Sequence, residues 1–145
     1  MPNGLRSTSY VAHASASFGF KTDKVSLHIF MFLDKPYRSK TLKNWLEHLN
    51  FITPLFKDQI TLSVTGQSLC LPLDTSVADN TKVIFIAPPT FDDKTLDPFK
   101  TAKERIITVK KKNDSLDLEA QSIGINPETL FQQQQKLKNV SNLNF

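Results

Sequence analysis

The residues of this chain best suited to chemistry are Ser26 and His28, a hydroxyl and an imidazole two positions apart at the head of the apolar run that ends at Leu33. On a β-strand this spacing puts both side chains on one face. Together they can hold a phosphate oxygen, and a donor or protonated imidazole suits the charge of a triphosphate. The plainer alternative for His28 is a histidine satisfied inside a core. Other chemistries find less support. His13, His28 and His48 have no metal-ligand spacing with one another. Asp34 falls at the wrong end of the run to complete a Ser-His-Asp set with Ser26 and His28. With only 4 glycines the chain has no glycine-rich phosphate loop.

The elements that must position this pair follow from periodicity. Tyr10 to Phe20 predicts a short strand entering a turn at Gly19, followed by a polar loop at Lys21-Thr22-Asp23-Lys24. Ser26 to Leu33 predicts a strand apolar on both faces, hence central and covered on both sides. Asp34-Lys35-Pro36 ends it, and Ser39 is the expected cap of a helix to about Asn50. Leu42, Trp45, Leu46 and Leu49 form its apolar stripe, with His48 beside it. Ile60–Val64 and Leu69–Leu73 alternate around Gly66 as a hairpin. Lys82 to Ala87 reads as a further apolar strand stopped by Pro88-Pro89, Thr90 to Lys100 as a loop, and Arg105 to Val109 as an edge strand. Asn126 and Pro127 suit the cap and first position of a terminal helix with a thin apolar side, followed by a disordered end. The expected fold is α/β in the broad sense (α+β), an antiparallel or mixed sheet with packed helices.

The ordered set of these features resembles the archaeo-eukaryotic-type primases, the primase-polymerases of phage and plasmid replication. The similarity spans roughly residues 10 to 107. It begins with Ser15-Ala16-Ser17-Phe18-Gly19 and the Ser-x-His of Ser26-Leu27-His28, followed by the apolar run, Asp34 and Pro36. It continues through the Leu/Trp-striped helix, Asp74-Thr75-Ser76-Val77, Ile84 to Phe91, Asp97-Pro98-Phe99 and Glu104-Arg105. The resemblance implies that Ser26 and His28 contact the phosphates of an incoming nucleotide. It implies that Asp74 is an acidic residue helping to hold a divalent metal, Mg²⁺ or Mn²⁺. Ser15 and Ser17 would border the phosphate loop, and Arg105 would reach nucleotide or template, or else pair with a carboxylate. The implied partners are nucleoside triphosphates, template DNA and a replicative helicase domain or another replication protein. The implied place is the cytoplasm of a bacterial host.

One departure from the family matters. Its Asp-x-Asp or Asp-x-Glu pair precedes the histidine, but here only Asp23 is acidic among the first 25 residues. Asp117-Leu118-Glu119 has the spacing but lies far downstream, as a solvated turn or helix start. Asp92 and Asp93 are adjacent, so on a strand they would point to opposite faces. The metal-binding half of a two-metal site is therefore expected to be missing. The expectation is an N-terminally truncated primase part, with residues 1–110 as the catalytic-core fragment and 111–145 as linker and appended helix. The alternative is a non-catalytic nucleic-acid-binding or replication-accessory module.

Bulk properties agree without deciding. The chain has 145 residues, the size of one domain, and a formal net charge of +4 that suits a polyanionic partner. Lys110, Lys111 and Lys112 read as a solvated loop. A lone cysteine, Cys70, excludes an intrachain disulfide and a cysteine zinc site, and between two leucines it is expected to be buried. No apolar run reaches the roughly 18 residues of a membrane span, so a soluble, intracellular protein is expected.

Overall fold

The computed structural model describes residues 3–20, 24–122 and 124–142. In chain order its elements are α1 (Asn3–Ser7), β1 (Tyr10–Ala14), β2 (Leu27–Phe30), β3 (Phe32–Leu33), α2 (Ser39–Ile52), α3 (Pro54–Lys57), β4 (Thr61–Leu62), β5 (Leu69–Cys70), β6 (Ile106–Val109), β7 (Ser115–Leu116), α4 (Leu118–Ser122) and α5 (Pro127–Asn142). Three short 3-10 turns cover Thr75–Ala78, Lys94–Leu96 and Ala102–Arg105. The fold is α+β, as the periodicities predict. The chain divides into two units, 1–35 with 84–117, and 36–83 with 118–145.

The first unit is built on a three-stranded antiparallel sheet in the order β2-β1-β6. β1 takes the centre: its small residues Ala12 and Ala14 are buried between neighbours on both sides. The expectation that Ser26 to Leu33 forms the central, doubly covered strand is corrected. The run breaks at Met31 into β2 and β3, and β3 pairs in parallel with β7. β2 is an edge strand, with Leu27 45% and Ile29 48% exposed. Two apolar faces are a property of the residues; whether anything covers them depends on what the rest of the chain supplies.

Lys82 to Ala87 is a second correction. It joins no strand, and Phe85 is 80% exposed. The β-preference of Val-Ile-Phe-Ile expresses packing against a sheet, and this segment pairs with no strand among the described residues. Gly19 behaves as expected. Its φ is +86°, and an added Cβ would stand 3.0 Å from the Pro98 ring, so the turn needs glycine on two grounds.

The second unit is organised by α2. Trp45 and Leu49 of the stripe are buried, joined by Phe51, and α3, α4, α5 and the turn Thr75–Ala78 pack on this helix. Leu118 and Leu130 bring the buried faces of α4 and α5. Asn126 caps α5 as its type predicts, its side-chain oxygen accepting from Glu128 N–H at 2.9 Å. The disordered end expected beyond α5 lies outside the described residues. Ser39 does not cap α2: Arg38 holds that position, and the Ser39 hydroxyl donates to the Ala78 carbonyl instead. β4 and β5 form the expected hairpin, short but in register. Cys70 is exposed there, not buried, because it falls on the open side of a two-stranded ribbon. No helix among the described residues is long and apolar enough to cross a membrane.

Candidate phosphate site

Strand pairing in the first unit brings together residues far apart in sequence. In the β1–β2 register His13 stands opposite His28. Directly opposed residues in an antiparallel pair point to the same face, and the two imidazole rings stack 5.8 Å apart at 16°. The pairing extends one rung beyond the strands, where Ser15 N–H donates to the Ser26 carbonyl at 3.0 Å. Alternation then places Ser15 and Ser26 on the histidine face as the next rung. The Ser15 and Ser17 hydroxyls are 3.1 Å apart. Beyond them opens a cavity of about 190 Å³ lined by Ser17, Phe20, Lys24 and Ser26.

The electrostatics of this face favour an anion. His13 is 6% exposed. Burial first, then the charges of His28 and Arg105, hold its pKa below the ordinary 6.5. Nδ1 of His13, Nδ1 of His28 and Nη1 of Arg105 are all buried without a protein hydrogen-bond partner. Three buried nitrogens in that state are costly unless something meets them. Imidazole N–H groups, hydroxyls and the Lys24 ammonium are donors that suit phosphate oxygens.

Arg105 is the buried anchor of the same unit. Its guanidinium pairs with the Asp97 carboxylate and lies over the Phe99 ring at 4.7 Å and the Phe91 ring at 5.9 Å. The Arg105 hydrogen bond, then the Phe99 N–H, hold the Asp97 carboxyl below the usual carboxylate range. Of the roles open to Arg105, partnering a carboxylate is therefore occupied. Phe18 packs on Phe99 and Phe20 stacks on Phe91, so the blocks around Gly19, Asp97 and Arg105 form one aromatic and ionic cluster.

Asp74 belongs to the second unit. Its carboxylate accepts from Ser76 N–H at 2.9 Å and faces Lys82 Nζ at 3.3 Å. Burial works to raise its pKa, but hydrogen bonds from the Ser76 hydroxyl and amide and from Lys82 outweigh that and lower it. Its neighbours are thus a cap and an ammonium. Among the described residues no three His, Cys, Asp or Glu side chains gather as metal ligands. Asp93 caps the turn Lys94–Leu96, Asp117 immediately precedes α4, and Asp23 lies outside the described residues.

Of the residues that the sequence singles out, Ser26, His28, Ser15, Ser17 and Arg105 lie in the first unit and Asp74 in the second. Reading the sequence missed His13, Asp97 and Phe20 as companions of the first-unit set. Spacing along the chain carries no sign of His13, whose partnership with His28 exists only through register. No protein-family model matches the chain, and no curated protein or solved structure matches it.

Proposed function

We propose that this chain is the phosphate-contacting part of a primase-type nucleotidyltransferase of phage or plasmid replication, binding nucleoside triphosphates and template DNA. The observation that supports this most is the pair of rungs His13/His28 and Ser15/Ser26 on one strand face, the second rung adjoining a cavity lined by Ser17, Phe20, Lys24 and Ser26. Here His28 and Ser26 donate to phosphate oxygens, and His13 fixes the ring of His28 by stacking. Lys24, at the mouth, draws the anion in. In this reading Mg²⁺ or Mn²⁺ accompanies the nucleotide. Before His28 the chain has no Asp-x-Asp or Asp-x-Glu pair, so in this reading the chain alone binds nucleotide without joining it to a primer.

Calorimetry with a nucleoside triphosphate tests the binding, and primer synthesis on single-stranded DNA with Mn²⁺ tests the catalysis. Replacing His28 by Ala is expected to weaken triphosphate binding roughly ten- to hundred-fold, the range of a hydrogen bond to a charged group. Unaltered binding by that variant overturns the role given to His28. Robust primer synthesis by the unaided chain overturns the incomplete site.

A further inference from the structure

The cavity beside Ser26 has one wall that a phosphate does not need. Phe20 is 60% exposed, although its ring is held in place. Its inner face stacks on Phe91, 5.6 Å away and 14° from parallel. Phe91 also meets the Arg105 guanidinium, 5.9 Å from its ring centre, which is paired with Asp97 and seated on Phe99. Phe20, Phe91, Arg105 and Phe99 thus belong to one cluster of ring and guanidinium contacts, in which Phe20 keeps a large exposed surface. The loop bearing Phe20 turns at Gly19, where an added Cβ would stand 3.0 Å from the Pro98 ring. Ser17, Lys24 and Ser26 line the same cavity as Phe20.

We propose that the outer face of Phe20 is the seat of a nucleobase, and that the Ser17–Phe20–Lys24–Ser26 cavity takes a nucleoside phosphate whose base stacks there while its phosphates meet the serines and lysine. This rests on the phosphate-site reading above and names its substrate class. A planar ring adds one more layer to a stack that is already ordered. Phe20 therefore loses little side-chain freedom on binding. Stacking uses the π-face that every base has, so the site prefers nucleotides over bare phosphates but does not select among bases.

The experiment titrates the full-length chain with ATP, CTP and inorganic tripolyphosphate by calorimetry, beside the variants Phe20→Leu and Phe20→Trp. Wild type is expected to bind both nucleotides roughly ten- to hundred-fold more tightly than tripolyphosphate, the range that base–aromatic stacking supports. Phe20→Leu removes that advantage and leaves tripolyphosphate binding unchanged. Phe20→Trp keeps the advantage, and ATP quenches the fluorescence of the new indole while tripolyphosphate does not. If tripolyphosphate binds and the nucleotides bind no better, the base seat is overturned and the phosphate site stands. If neither kind of ligand binds, both fall. Loss of tripolyphosphate binding in Phe20→Leu also counts against the base seat, because Phe20 then shapes the phosphate site.

Discussion

His13 and His28 lie opposite each other on neighbouring antiparallel strands, their rings stacked 5.8 Å apart, with Nδ1 of each buried and unpartnered. Two imidazoles so close cannot both take a proton cheaply, and burial first, then the neighbouring His28 and Arg105, lowers the pKa of His13. The folded state therefore binds fewer protons than the unfolded chain once pH drops below 6.5. Stability contributed by the neutral ring is present above that pH and is lost as pH falls toward the folded pKa. The urea midpoint is expected to fall between pH 7.5 and 5.5, and the fall is expected to be smaller in His13→Gln. An anion on the site reverses the preference by giving the protonated ring a partner, so tripolyphosphate is expected to bind more tightly at pH 6 than at pH 8.

Arg105 is buried against Phe91 and Phe99 and paired with Asp97. Arg105→Ala removes the charge, the stacking and the packing together. A loss of about 3 kcal/mol is expected, in line with breaking a buried pair. Arg105→Lys keeps the charge but not the flat guanidinium, and it is expected to recover only part of the loss. Thermal unfolding checks both. A fully stable Arg105→Ala protein contradicts this account of the cluster.

Asn50 is 0% exposed in the second unit. Its amide nitrogen donates to the Leu46 and Leu73 carbonyls at 2.9 and 3.0 Å, and its oxygen accepts from Leu73 N–H at 2.9 Å. It thus ties α2 to the chain after the hairpin. Asn50→Leu leaves the Leu73 amide and carbonyl buried without partners, and a destabilisation of roughly 2–4 kcal/mol is expected. Denaturant titration followed by the fluorescence of Trp45, buried on the same helix, measures it.

Gly19→Ala is expected to destabilise by about 1–2 kcal/mol, because an L residue resists its φ and the new Cβ meets Pro98. The same change shifts Phe20, so nucleotide affinity is expected to drop while the chain stays folded. Calorimetry beside a thermal melt separates the two effects.

Much of the local structure was legible in the sequence. The stripe of α2, the Asn126-Pro127 start of α5 and the Gly66 hairpin depend on neighbours within a few residues, and pattern carries that information. The failures share one cause. Ser26–Leu33 and Lys82–Ala87 were legible as apolar segments, but whether a segment becomes a central strand, an edge or an exposed length is settled by partners distant in the chain. Cys70 was misjudged for the same reason: its flanking leucines say nothing about which side of the hairpin is covered.

By itself, then, the sequence determined the α+β character of this protein and the Ser26/His28 pair on one strand face, because alternation along a strand is a property of the backbone. Only the tertiary structure decided that His13 faces His28, that Asp97 and two phenylalanines hold Arg105, and that Phe20 stacks on Phe91 while staying largely exposed. Each of those relations spans a strand register or a long loop, and the free energy that fixes it arises only when the separated segments meet.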